Sequence, residues 1–374
     1  MQTTVDAVII GAGVIGCSTA YHLARMGVTD VAVLEMGEVG SGSSSKSASM
    51  LSLQLRSDAL SIRRSKLSYE RYMRFEEEIG EPIDYRRIGC LSLATEESVE
   101  SLRKSAELLR SQGVATDVLE PEEINRRYPE INTEDVVLGT WGSEDGPVDA
   151  HTIMWGYMKR AREKGVSLHQ GVRATGVEVR NGRVEGVRTD KGLIASRLVV
   201  NAGGPWAIEI GRWVGVEIPI INLVRTILVT TPVSEIPSSR PFVENVTPEW
   251  YYRPEGEGVL IGMGTDPADR LEVEPSDEMI AEIIETATRR VPALANASLQ
   301  TTWAGVRPTT PDGHPILGPT PSVEGFVLNC GWGGTGISQA PIAGQLIGEY
   351  ISTGRASTMD IEGFGIRRFE RKEA

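Results

Sequence analysis

The chain has 374 residues, of which 40% are hydrophobic and 24% charged, so it is long enough for two globular domains. Its 38 Lys and Arg against 51 Asp and Glu give a net charge of −13, without a basic, aromatic-rich stripe, which argues against a nucleic-acid partner. No apolar stretch reaches the roughly 18–20 residues of a membrane span, and three cysteines without CxxC spacing predict neither a disulfide framework nor a metal site. We therefore expect a cytoplasmic protein.

The N-terminal segment predicts a strand over 5–10, a helix over 14–26 and a strand over 31–34, the beginning of a doubly wound parallel sheet. Gly11, Gly13 and Gly16 lie between the first strand and the helix, and Glu35 follows the second strand. The glycines permit a tight turn, close approach of a pyrophosphate and close helix packing, while Glu35 can accept hydrogen bonds from ribose hydroxyls. This motif predicts a dinucleotide site and leaves both FAD and NAD open.

A Gly/Ser-rich segment at 40–49 follows, with Lys46 in its middle; it is either a flexible loop or a chain that offers amides and hydroxyls to a cofactor. The pattern then predicts helices around 58–79, 96–112 and 151–164. Residues 172–200 read as strands with a hairpin turn at Asn181-Gly182. A buried strand in 197–207 ends at Ala202, Gly203 and Gly204, where the backbone can approach a cofactor.

The C-terminal half predicts strands at 223–231, 258–264 and 326–329 and helices at 276–290 and 337–352. The fold class is therefore mixed α/β, with a Rossmann-like parallel sheet interrupted by segments that build a second, largely antiparallel sheet. We assign residues 1–85, 146–222 and 300–374 to the nucleotide-binding domain. Residues 86–145 and 223–299 form the predicted substrate-binding domain.

Two further motifs lie near the C-terminus, "GVRPTTPDGHPILG" (305–318) and "NCGWGGTGISQAP" (329–341). Pro308 restricts the backbone next to Arg307. A glycine-rich entry to the last helix creates an anion site. Together with the first motifs, in this order, they resemble the D-amino-acid oxidase superfamily of flavoproteins, and they are similar to glycine oxidases and to sarcosine oxidase β-subunits.

The resemblance implies FAD bound in an extended form, with the substrate beneath the flavin ring on the second sheet. Residue by residue, it assigns the cofactor site to Gly11, Gly13, Val14, Ile15, Gly16, Glu35, Met36, Gly42, Ser43, Ser44, Lys46, Ser47, Ala48, Ser49, Val172, Ala202, Gly203, Trp206, Arg307, Gly333, Gly334, Thr335, Gly336 and Ile337. Val172 is expected to begin the strand that meets the adenine.

The same resemblance implies that Arg307 binds the substrate carboxylate and that the strand pair 249–264 supplies a substrate-facing tyrosine. Tyr251 and Tyr252 are the candidates, and strand alternation lets one of them point inward. Lys46 is expected to stabilise negative charge at the flavin. The remaining catalytic candidates are therefore Arg307, Tyr251 and Tyr252.

The sequence departs from these relatives at two flavin-attachment positions. Ala150 stands where heterotetrameric sarcosine oxidases attach an additional FMN to a histidine, and His151 follows one residue later. Monomeric sarcosine oxidase carries covalent FAD on a cysteine ahead of the final glycine-rich loop, whereas Cys330 lies inside that loop. We therefore expect non-covalent FAD and no second flavin.

The implied reaction is hydride transfer from the carbon next to the nitrogen of an amino acid or N-alkyl amino acid to flavin N5. The acceptor of the electrons is oxygen or another molecule. Two alternatives stay open: a catalytic subunit that passes electrons to a partner or quinone, and a nucleotide-binding module without redox chemistry. A homo-oligomer and hetero-oligomeric partner subunits are both compatible with the sequence.

Overall fold

The structure is a computed structural model that describes residues 3–370. The helices in this range are α1 (Val14–Arg25), α2 (Ala59–Tyr72), α3 (Phe75–Ile79), α4 (Val99–Ser111), α5 (Pro121–Arg127), α6 (Ala150–Glu163), α7 (Ala207–Arg212), α8 (Asp277–Arg290) and α9 (Gly336–Thr353). Short 3-10 helices lie at Gly204–Trp206, Pro292–Asn296, Gly333–Thr335, Glu362–Phe364 and Ile366–Phe369. The predicted helices are confirmed, except that 58–79 is two helices, α2 and α3.

The strands in the same range are β1 (Ala7–Ile10), β2 (Val31–Glu35), β3 (Met50–Leu51), β4 (Cys90–Ala94), β5 (Asp117–Leu119), β6 (Leu138–Gly142), β7 (Gly146–Pro147), β8 (Ser167–Gln170), β9 (Ala174–Arg180), β10 (Arg183–Thr189), β11 (Gly192–Ala195), β12 (Val199–Asn201), β13 (Ile221–Thr230), β14 (Phe242–Asn245), β15 (Trp250–Glu255), β16 (Gly258–Met263), β17 (Leu299–Thr309), β18 (Ile316–Pro319) and β19 (Phe326–Cys330). The sequence predicted that Val172 begins the strand β9. In the structure Val172 lies two residues before this strand. Its amide instead donates to the Glu35 carbonyl at 3.0 Å, which draws the turn against the end of β2.

A six-stranded sheet forms the nucleotide-binding half, with strand order β18-β19-β12-β1-β2-β8. All its pairs are parallel except the edge pair β18–β19. The chain moves from β1 to β2 on one side, while β12 pairs with β1 on the other. The strand order therefore reverses beside β1, and ligands of doubly wound sheets bind in the crevice at such a point.

Both faces of this sheet are covered, which explains why β1 and residues 31–34 of β2 are apolar throughout. Ala7 and Ile9 of β1 pack into a core shared with α1, α6 and α9. Val8 and Ile10 point to the opposite core, shared with the three-stranded sheet β11-β10-β9 and α7. The predicted hairpin turn joins β9 to β10, with positive φ angles of 52° at Asn181 and 73° at Gly182, as a type I′ turn requires.

The eight-stranded sheet has the order β17-β13-β16-β15-β14-β4-β6-β5 and is antiparallel except for the pair β4–β14. One of its faces packs on α8 and α5. β17 pairs along β13 from Thr309 opposite Ile221 to Leu299 opposite Thr230. Residues 300–309, which the sequence places in the predicted nucleotide-binding domain, pair with β13 as part of this sheet. The domain limits stay predictions.

Candidate active site

A cavity of about 520 Å³ lies between the carboxyl ends of the six-stranded sheet and one face of the eight-stranded sheet. Ile10, Leu34 and Ala202 line it at the first sheet, and Ile227 and Tyr251 at the second. It brings together nearly all the predicted site residues: Gly11, Gly13, Val14, Ile15, Glu35, Met36, Gly42, Ser43, Ser44, Lys46, Ser47, Ala48, Ser49, Val172, Ala202, Gly203, Trp206, Tyr251, Arg307, Gly333, Gly334, Gly336 and Ile337.

Three predicted site residues are not among the residues that line the cavity, namely Gly16, Thr335 and Tyr252. Gly16 lets α1 pack on the turn before it, because a Cβ there would lie 1.9 Å from the Gly11 carbonyl oxygen. The Thr335 hydroxyl donates to the Trp332 carbonyl oxygen at 2.7 Å and closes the turn that leads into α9.

The turn between β1 and α1 brings backbone to the cavity at the start of a helix. Gly11 has φ +104°, and a Cβ there would lie 2.6 Å from the Ala202 carbonyl oxygen, so the position excludes side chains. Ser44 accepts a hydrogen bond from the amide of Val14 at 3.1 Å, which fixes the Ser-rich loop against the first turn of α1. The unpaired amides of a helix start attract phosphate groups.

Glu35 ends β2 with its carboxylate held at the cavity wall. Its two oxygens accept the amides of Ala12 at 2.9 Å and of Gly37 at 2.9 Å. A carboxylate oxygen has a second lone pair, so both oxygens can still accept from hydroxyl groups. This geometry fits recognition of the two hydroxyls of a ribose.

The Ser-rich loop 40–49 connects the two sheets across the cavity. The Ser43 hydroxyl donates to the Val306 carbonyl of β17, and the indole of Trp303 donates to the Lys46 carbonyl at 3.3 Å. Lys46 lines the cavity, and none of the ion pairs found within residues 3–370 includes it. The loop is therefore a fixed part of the cavity wall and not a solvated linker.

Strand alternation separates the two candidate tyrosines. Tyr251 lies on the cavity face, where Gly262 on β16 leaves room for its ring; a Cβ at Gly262 would lie 2.2 Å from the Tyr251 Cζ atom. Tyr252 points to the opposite face, is 0% exposed and packs against Trp250 in the core beneath α8. The structure therefore retains Tyr251 as a substrate-facing candidate and removes Tyr252.

Arg307 lies on the cavity face of β17, and its Nη1 is 3.1 Å from Oε1 of Glu249. Arg225 on β13 contacts the same carboxylate oxygen through Nη2, and its guanidinium lies 5.5 Å from the centre of the Tyr251 ring. Although burial acts to raise it, the two guanidinium groups hold the pKa of Glu249 below its usual value. Arg225 Nη1 and Arg307 Nε are buried without a hydrogen-bond partner among the described residues.

A second carboxyl group, Glu244 on β14, also lines this end of the cavity. It lies directly opposite Tyr251 in the β14–β15 pair, and its Oε1 accepts from the Ser92 hydroxyl at 2.7 Å. Burial raises the pKa of Glu244 to about 7.

Sequence reasoning missed Arg225, Glu244 and Glu249. The available signal was an isolated charge in an apolar strand, as in "NLVRTILV" (222–229) and "FVEN" (242–245). Strand burial makes such a charge costly unless it is paired or faces a site.

The remaining wall comes from the loop between β19 and α9. Gly333, Gly334 and Ile337 line the cavity there, as does Cys330, whose burial raises its pKa to about 12. His151, by contrast, lies in a separate exposed groove with Trp155 on α6. A flavin attached at His151 would thus lie outside this cavity.

A family model for FAD dependent oxidoreductases (DAO) matches residues 6–350. The chain belongs to this family. Human mitochondrial sarcosine dehydrogenase is 29% identical over 389 residues, which cover 99% of this chain and 42% of that protein, so the chain spans less than half of that relative. The sarcosine oxidase subunit beta of Rhodobacter capsulatus is 28% identical, over 98% of this chain and 88% of that one. The crystal structure of L-proline dehydrogenase from P. horikoshii matches with a TM-score of 0.90 and 28% identity, covering 99% of each chain.

These matches confirm the resemblance to the D-amino-acid oxidase superfamily, and the residues present fit FAD. The Ala202 carbonyl leaves no room for a Cβ at Gly11, so this residue presents only its backbone at the helix start that would hold the pyrophosphate. Glu35 has the free lone pairs that would bind the ribose, and the cavity continues from there to Arg307.

Within residues 3–370, no helix has the length and hydropathy of a membrane span. No group of metal-ligating side chains was found in the described part of the chain.

Proposed function

We propose that this FAD-dependent oxidoreductase oxidises the C–N bond of an amino acid or N-alkyl amino acid. Bound at this site, FAD would supply the hydride acceptor for the carbon next to the nitrogen. The observation that carries the proposal is the pair Arg225 and Arg307 in the part of the cavity wall that the eight-stranded sheet forms.

The arginine pair leaves positive charge and free donors for an anionic substrate. Arg225 and Arg307 share one oxygen of Glu249, so the three groups together carry one net positive charge. Each guanidinium has five N–H donors, and Glu249 engages one nitrogen of each. A substrate carboxylate can bind the remaining donors in the bidentate geometry that arginine favours.

A carboxylate held at one end fixes the position of the adjacent amine-bearing carbon, which is a proximity effect. Tyr251 forms the wall beside Arg225 and limits how the substrate can lie. Lys46 and the first residues of α9 supply positive charge on the cofactor side of the cavity. These residues therefore orient the substrate and favour negative charge on the cofactor during the reaction.

Anaerobic bleaching of the bound flavin tests the proposal. The panel pairs each amino acid with the amine that lacks its carboxylate: glycine with methylamine, sarcosine with dimethylamine, L-proline with pyrrolidine and D-alanine with ethylamine. We expect at least one amino acid to bleach the flavin and its matched amine to do so at least tenfold more slowly. Equal rates for a matched pair, or no bleaching by any amino acid, would contradict the proposal.

A second candidate function is that of a catalytic subunit which passes electrons to a partner or quinone. It is supported by the similarity to a protein named as a subunit, the sarcosine oxidase subunit beta. The two forms differ in the acceptor that reoxidises the enzyme. A subunit of this kind should react faster with a dye or quinone than with oxygen and should copurify with other chains, whereas an independent oxidase should consume oxygen alone.

A further inference from the structure

One of the two carboxylate oxygens of Glu244 accepts no hydrogen bond from a described residue. Ser92, a buried residue of β4, donates to Oε1. No donor among residues 3–370 is found for Oε2, and the side chain lines the cavity. A carboxyl group in a cavity wall without its full set of protein partners is available to a ligand.

The position of Glu244 complements the arginine pair. In the strand order β17-β13-β16-β15-β14, Arg307 and Arg225 lie on the first two strands, Tyr251 on the fourth and Glu244 on the fifth. Glu244 is therefore on the side of Tyr251 that is remote from the arginines. An amino acid in solution carries a negative carboxylate and a positive ammonium group, and this wall presents positive groups and then an acid in the same order.

We propose that Glu244 binds the substrate amino group and accepts the proton of the arriving ammonium ion. The N–H bond breaks, an O–H bond forms at Glu244 Oε2, and the electron pair stays on nitrogen as the lone pair of the neutral amine. The step changes no oxidation state and needs no other reactant. The neutral amine is the form that can lose hydride from the neighbouring carbon, so this role rests on the proposed function and deepens it.

The surroundings of Glu244 suit a proton acceptor near neutral pH. Burial and the negative charges of Glu249 and Asp145 raise its pKa, whereas the Ser92 hydrogen bond and Arg56 lower it, with the result at about 7. The titratable or charged groups that face it from neighbouring elements are Arg56, Cys90, Asp145, Glu249 and Tyr251. Below this pKa the carboxyl group is already protonated and cannot accept, and above it the carboxylate can accept.

The test measures anaerobic flavin reduction by glycine, sarcosine, L-proline and D-alanine between pH 5.5 and 9. In the parent protein the second-order rate constant should rise with pH through about 7. Glu244→Gln should lose this rise and react at least tenfold more slowly at pH 8. The control Glu257→Gln removes an exposed acid from the β15–β16 turn and should leave the rise with pH and the rate at pH 8 unchanged.

Ser92→Ala keeps the carboxyl group and removes a hydrogen bond that lowers its pKa. The rise should therefore move to higher pH, which a merely structural role of Glu244 would not produce. A binding measurement adds a readout without turnover: methoxyacetate has a carboxylate but no ammonium group. Its perturbation of the flavin spectrum should be as strong in Glu244→Gln as in the parent, while the amino acids should bind at least tenfold more weakly.

An unchanged pH profile in Glu244→Gln, or an equal loss of methoxyacetate and amino-acid binding, would overturn the role of Glu244. If that variant loses FAD, an unshifted profile in Ser92→Ala overturns it instead. If none of the four amino acids reduces the parent flavin, the proposed function fails and the role of Glu244 falls with it. Rapid flavin reduction in the parent, together with a pH-dependent rise that only Glu244→Gln loses, supports both the proposed function and the role of Glu244.

Discussion

Replacement of Arg307 tests whether this residue binds the substrate carboxylate or serves mainly as an ion-pair partner of Glu249. As a substrate ligand, Arg307 would contribute charged hydrogen bonds worth about 1.5–3 kcal/mol. Arg307→Lys should therefore weaken carboxylate binding by roughly 10- to 150-fold. Lysine keeps the charge but not the planar fork that matches a carboxylate.

The structure also bounds the stability that Arg307→Lys can remove. The Arg307 side chain is 23% exposed and that of Glu249 is 47% exposed, so their ion pair contributes at most about 1 kcal/mol. Arg225 still holds Glu249 in the variant. We expect an unchanged FAD content and a melting temperature within about 2 °C of the parent.

The assay compares methoxyacetate with methoxyacetamide, which has the same shape and no charge. Methoxyacetate should perturb the flavin spectrum of the parent at much lower concentration than the amide, and Arg307→Ala should abolish this difference. The matched control is Arg183→Lys, because the Arg183–Glu324 pair, with its 2.7 Å separation, lies outside the cavity. A preference for the carboxylate that persists in Arg307→Ala would assign the anion site to another residue. Joint loss of FAD and melting temperature in Arg307→Lys would show a structural bridge.

Three further predictions concern the same cavity. Lys46→Met should slow flavin reduction or reoxidation at least tenfold, about 1.4 kcal/mol of barrier, because it removes the ammonium group from the cavity. Unchanged rates of both half-reactions would show that Lys46 does not affect the reactivity of the flavin. Acid precipitation should release all yellow colour, because the protonated Cys330 thiol is a poor nucleophile, and colour in the pellet would contradict non-covalent FAD. Glu244→Gln should stabilise the protein by up to about 3 kcal/mol above pH 7 and not below pH 4.5. The reason is that the pKa of Glu244 is raised in the folded state, so ionising this carboxyl group above pH 7 destabilises the fold. Chemical unfolding above pH 7 and below pH 4.5 measures the effect, and a stability difference that does not depend on pH would refute it.

The nucleotide end of the site could be predicted from sequence because its parts are local. Gly11, Gly13 and Glu35 lie within one β–α–β unit, so spacing alone brings them together. The period of the strands also predicted that only one of Tyr251 and Tyr252 faces the cavity. Which one does so depends on where β15 pairs with β16 and on which side α8 packs, and neither fact is written in the local pattern.

The substrate end resisted prediction because its residues meet through long-range pairing. Arg225 and Glu249 are 24 positions apart, and Arg307 lies 58 positions beyond Glu249. Only the register of β13 with β17 places Leu223 opposite Arg307 and thereby turns Arg225 towards the same wall. The pairing of the strand Leu299–Thr309 with β13 was missed for the same reason, since the local sequence does not show which sheet a strand joins.

The arginine pair also explains how a chain with a net charge of −13 can attract an anion. Two neighbouring guanidinium groups repel each other, and a shared carboxylate reduces that repulsion while it engages only one nitrogen of each. Glu249 does this from a half-exposed position immediately before β15, so the pair can be in place before a substrate arrives. One positive charge then remains in a partly buried wall, where charges interact more strongly than the screened acidic residues of the surface do. The local field beside the arginine pair is therefore opposite in sign to that of the molecule as a whole.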